Sequence, residues 1–107
     1  MYAIRVHLAS RGGPPAGGPV AAAVRDGLER GLRGPARVGH ARIRVTGRSL
    51  DAVVFVVAGS LLEAERLLRD ALERLTAPGA ELGDWRLMHC EADTAIALGL
   101  HQATSRP

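Results

Sequence analysis

Apolar and polar positions alternate from the start of the chain. Tyr2, Ile4, Val6 and Leu8 fall on one side of an extended segment, and Ala3, Arg5, His7 and Ala9 on the other. A period of two marks a half-buried strand. The run Ser-Arg-Gly-Gly-Pro-Pro-Ala-Gly-Gly at 10–18 ends that pattern and reads as a loop. Pro19 then suits the first turn of a helix, and Val20, Val24, Leu28 and Leu32 recur every four residues as one apolar stripe. Gly34-Pro35 stops it. Gly27 and Gly31 each cost a helix about 1 kcal/mol relative to Ala. Their shared side lets the backbone approach the sheet closely, or they are tolerated weak spots.

Alternation returns over 38–47, with Ala41, Ile43 and Val45 opposite His40, Arg42, Arg44 and Thr46. Gly47-Arg48-Ser49 is short enough to join this strand to the next as a hairpin. The next strand, from Asp51, reads Asp-Ala-Val-Val-Phe-Val-Val-Ala-Gly and does not alternate. It is apolar on both faces, so both need a cover. Ser60 and Glu63 form a capping box for a second helix, with Glu63 expected to reach back to the Ser60 amide. Leu61, Ala64, Leu68, Ala71, Leu72 and Leu75 make its apolar face, and Thr76-Ala-Pro-Gly ends it. Glu65 with Arg69, and Asp70 with Arg74, have the spacing of stabilising helical ion pairs.

Trp85 to Glu91 reads as a fourth strand of ambiguous facing, because Trp85 and Leu87 compete with Met88 and Cys90 for the core. Thr94 to His101 alternates again, as a fifth strand or a short helix capped by Asp93, the strand being favoured; as an intrachain cover for the open sheet face or an added edge strand it competes with a second subunit for that role. The order strand, helix, strand, strand, helix, strand predicts an α+β fold, the ferredoxin-like βαββαβ sandwich. Right-handed crossovers place both helices on one face of a four-stranded antiparallel sheet. The first and third strands are then central, and the other sheet face is open. The chain is expected to be one domain over 1–103, with a frayed tail at 104–107.

Composition narrows the function classes. At 107 residues, 47% hydrophobic and 23% charged, the chain has the balance of a globular domain with a single core. Aromatic residues are only 3%, Tyr2, Phe55 and Trp85, which argues against a base-stacking surface. All 14 basic residues are Arg, and the chain has neither Lys nor Asn, a composition of GC-rich bacterial genes. The net charge of +3 permits anionic partners without requiring them. The one cysteine, Cys90, excludes an internal disulfide and suits a reducing compartment. The opening residues have a strand pattern rather than that of a signal peptide, and no apolar run approaches the roughly 20 residues of a membrane helix. A cytoplasmic location and no membrane association are expected.

No catalytic or metal signature emerges, and no cofactor is expected. His89 and Cys90 are adjacent on a strand and point to opposite faces, so they cannot easily share an ion or act as nucleophile and base. The Gly/Pro loop beside Arg11 lacks the spacing of a phosphate-binding loop and reads as a surface loop. One constellation stands out. Arg5, His7, His40, Arg42 and Arg44 share the open sheet face, beside an apolar third strand. Either Val53, Phe55 and Val57 or Ala52, Val54, Val56 and Ala58 face away from the helices, and Val54 and Val56 are expected there. An apolar centre with a polar margin is an interaction surface. The expectation is a small non-enzymatic interaction or regulatory module, a homodimer or a protein-docking unit. The alternative is a small dimeric α/β-barrel-type enzyme or ligand-binding protein, with Arg5, His7 and His89 in a pocket between sheet and helices. Nucleic-acid binding ranks below both.

Overall fold

A computed structural model describes residues 1–12 and 18–93. Four strands and two helices follow in the order β1 (Tyr2–Ser10), α1 (Gly18–Gly31), β2 (Arg37–Thr46), β3 (Ser49–Val57), α2 (Leu61–Leu75) and β4 (Trp85–Ala92). The strands form one sheet ordered β2-β3-β1-β4, and every neighbouring pair is antiparallel. The central strands are thus β1 and β3. The expected extra element over 94–101, the tail at 104–107 and most of the Gly/Pro loop lie outside the described residues.

Each helix buries the stripe its sequence spacing marks. Val24 and Leu28 of α1, and Ala64, Leu68, Ala71 and Leu72 of α2, are buried against Ile4, Val6 and Leu8 of β1 and Leu50, Val54 and Val56 of β3. Ser60 caps α2, its hydroxyl accepting from the Glu63 amide at 3.1 Å. Glu63 reaches back one residue further than a capping box requires, to the Gly59 amide at 3.0 Å. Gly27 and Gly31 face α2, not the sheet. A Cβ on Gly27 would lie 2.8 Å from Leu75 Cδ2, and one on Gly31 would meet the Ala71 methyl at 3.6 Å. Their missing side chains bring the two helices together.

Two bulges adjust the sheet. In β4 the register shifts between the partners of His7 and Leu8, and Met88 is the extra residue. Facing therefore changes parity along the strand. Trp85 and Cys90, buried, and Leu87, half-buried, all reach the core, while Met88 is 53% exposed. The apparent competition among these side chains is resolved by the inserted residue. A second shift, between Val38 and His40, leaves Gly39 unpaired in β2. The β2–β3 hairpin turns on Gly47, whose φ of 58° suits glycine.

Arg11, at the end of β1, is a structural residue. Its Nε donates to the Trp85 carbonyl at 3.1 Å and its guanidinium approaches the Thr76 carbonyl at 3.4 Å. Its donors tie the end of β1 to the end of α2 and the start of β4.

Candidate functional site: the open sheet face

Side-chain alternation in β1, β2 and β3 fixes the face turned away from the helices. Cross-strand register arranges it in rows. One row holds Arg42 of β2, Val53 of β3, Arg5 of β1 and Glu91 of β4. The next holds Arg44, Asp51, His7 and His89. On the other side of the first row stand His40, Phe55 and Ala3. The expected grouping of Arg5, His7, His40, Arg42 and Arg44 on one face follows from this register.

Val54 and Val56 do not belong to it. Val54 is the partner of Ile4 and Val56 of Tyr2, and both valines are 0% exposed in the core beneath the helices. The apolar centre of the open face is instead Val53, Phe55 and Val57, each half-buried. Sequence reasoning left this parity open and favoured the wrong set. Phe55 also puts an aromatic ring where none was expected, 6.0 Å from the His40 ring centroid and tilted by 35°.

The charged groups are held by short-range pairing. His7 Nδ1 lies 2.8 Å from Asp51 Oδ1, across the β1–β3 pair. His89 Nε2 lies 3.1 Å from Glu91 Oε1 on the same strand. Arg5 approaches Asp93 at 3.9 Å. Asp51 and Glu91, which the sequence reading did not single out on this face, break up its positive charge.

The same register excludes one arrangement. Arg5, His7 and His89 project from the face opposite the helices, so they cannot line a pocket between sheet and helices. That interlayer space is filled by Ile4, Leu8, Leu28, Leu50, Leu68 and Leu72, none with measurable exposure. Among the described residues no group of three or more His, Cys, Asp or Glu is placed to hold a metal ion.

An open cleft of about 260 Å³ runs between α2 and β4, lined by Arg69, Glu73 and residues 87–91. Here α2 grips the edge of β4. Arg69 donates to the Cys90 carbonyl, and Glu65 accepts from the Ala92 amide at 2.7 Å. These two side chains thus serve the strand edge rather than each other. Cys90 is buried behind them, and burial pushes its thiol up to about 11. Glu65 and Glu73 add to that rise, and the Arg69 guanidinium opposes it. A thiol so protected is not poised as a nucleophile. On the opposite edge Arg25 of α1 donates to the Ala41 carbonyl of β2 at 3.3 Å.

No helix among the described residues is long and apolar enough to cross a membrane. No family model, curated protein or solved structure matches the chain.

Proposed function

We propose that the protein is a small interaction or regulatory module of the ferredoxin-like kind, which self-associates or docks on a protein partner through its open sheet face. The observation that carries this reading is the row structure of that face. Val53, Phe55 and Val57 form an apolar strip on a central strand, and arginines, histidines and carboxylates surround it. Soluble proteins seldom leave such a strip uncovered without a use for it. The strand order β2-β3-β1-β4, with a helix in each crossover, supports the ferredoxin-like assignment. Both edge strands have a carbonyl taken by a helix arginine, which favours the face over the edges as the contact.

A pair of substitutions on adjacent residues separates surface from core. Phe55→Arg is expected to leave the fold and its melting temperature nearly unchanged and to abolish association in gel filtration with light scattering. Val54→Asp buries an unpaired charge and is expected to cost about 4 kcal/mol or more, enough to unfold a small domain. A folded, fully associating Phe55→Arg protein would count decisively against the open face.

Phe55 beside His40, Arg42 and Arg5 also favours a second reading, single-stranded nucleic acid stacked on the sheet. It is the weaker of the two. The face has one aromatic residue on its central strands, and Asp51 and Glu91 would oppose a phosphate backbone.

A further inference from the structure

We infer that the partner on the open face is a second copy of this chain, related by a twofold axis that runs along the strands, so that β2 of each copy lies over β4 of the other. The inference rests on the open-face reading above and adds the occupant and its orientation.

Two sheets packed face to face by a twofold axis have that axis in the plane between them. For aligned sheets, which keep their strands within about 30° of each other, it runs across the strands or along them. Across the strands, each strand meets its own copy in reverse. With the axis through the first row, Arg42 lies over the partner's Arg42, and Glu91 over the partner's Glu91. That stacks like charges at both margins of a desolvated contact, which opposes association.

Along the strands, the order β2-β3-β1-β4 is laid over its mirror sequence. Each β2 meets a β4, each β3 meets a β1, and every row meets itself reversed. The row Arg42, Val53, Arg5, Glu91 then sets Arg42 over Glu91 at both ends. In the next row Asp51 comes over His7 in both directions, while Arg44 meets His89, whose ring already carries the Glu91 carboxylate at 3.1 Å. In the third, Phe55 comes over Ala3, which is only 3% exposed within one copy and adds little to the contact. Arg42 thus faces Glu91 and Asp51 faces His7, while Arg5 comes over Val53 and Arg44 over His89. Stacked sheets are offset by about 30°, which the length of Arg42 can span.

The footprint is adequate. Four strands at about 4.8 Å spacing and some nine residues at about 3.3 Å rise cover roughly 500–600 Å² in projection. Side-chain relief brings the accessible area towards the roughly 800 Å² per partner of a standard interface.

Arg42 and Glu91 sit on opposite edge strands of one chain, so they cannot pair within it. This permits a charge-swap test on full-length protein. Arg42→Glu alone sets glutamate against Glu91, and Glu91→Arg alone sets arginine against Arg42. Each single variant is expected to weaken the homodimer dissociation constant roughly tenfold or more. Circular dichroism and thermal melting check that each stays folded. An equimolar mixture of the two is expected to form a heterodimer in which both contacts pair opposite charges, restoring affinity to near that of the unaltered protein. If the mixture stays monomeric while the unaltered chain dimerises and loses its dimer on Phe55→Arg, the orientation is overturned and the open-face reading stands. If each single variant dimerises as tightly as the unaltered chain, like residues already face each other, the axis runs across the strands and the inference fails. If the unaltered chain is a monomer at the highest concentration reached, a second copy is overturned as occupant. The open-face reading then survives only through a heterologous protein whose binding Phe55→Arg abolishes.

Discussion

Cys90 shows what burial does to one ionisable group. Its thiol is raised from 9.0 to about 11, first by burial and then by Glu65 and Glu73, with Arg69 pulling the other way. Below about pH 9 folded and unfolded chains both hold the proton, and stability is unaffected. Between 9 and 11 the unfolded chain releases it first, so stability falls as pH rises through that window. The two-unit separation corresponds to a loss on the order of 2–3 kcal/mol. The measurement is a difference between two chains that differ only at this thiol. Urea unfolding across pH 8–11 is expected to fall more steeply for the unaltered chain than for Cys90→Ala. Equal slopes would show that the thiol is not shielded. At neutral pH the same burial is expected to make Cys90 slow towards alkylating reagents until the protein is unfolded.

At the scale of elements, the edges of the sheet are managed by the helices. Each edge strand gives a carbonyl to an arginine one layer away, Arg25 for β2 and Arg69 for β4, and Glu65 adds an acceptor for the Ala92 amide. A strand edge is otherwise a row of unmet donors and acceptors. The double variant Glu65→Ala, Arg69→Ala is expected to keep the fold. It should raise hydrogen exchange over residues 90–92 at least about tenfold while β1 and β3 stay protected, since local opening requires only the loss of the clamp. Unchanged exchange there would mean that the clamp contributes nothing. The sequence reading assigned these same side chains to ion pairs along α2. Spacing shows which residues are neighbours on a helix, but not whether a strand edge offers each a better partner.

For the whole molecule, element order and the helical stripes were legible because hydrophobic periodicity is strong where one face is buried. The open-face arginines were legible for the same reason, since Arg42 and Arg44 alternate with Ile43 and Val45. The parity of β3 was not read, although the signal was present. The tight turn at Gly47-Arg48 pairs Thr46 with Ser49, and counting back pairs Arg42 with Val53 and Val45 with Leu50. That count alone places Val53 and Phe55 beside the arginines. The Met88 bulge had no such signal, because an unpaired residue in a strand leaves the apolar pattern merely irregular. The charge of the assembled face decides between its two readings at this scale. Single-stranded nucleic acid bound there should lose affinity steeply with salt, and again on Arg42→Ala with Arg44→Ala. A salt-insensitive or unmeasurable interaction is expected in fluorescence anisotropy, because Asp51 and Glu91 interrupt the positive surface.

The clamped edges also bear on how far association can go. A sheet that accepts strands at its margins can lengthen without limit, one chain templating the next. Here arginines interrupt both margins, and helices occupy one side of the sheet. The twofold pairing proposed above would use the side away from the helices, and would use it up in both molecules. Raising the concentration would then change how many pairs exist and not how long anything grows, so such a pairing would carry its own stop to polymerisation.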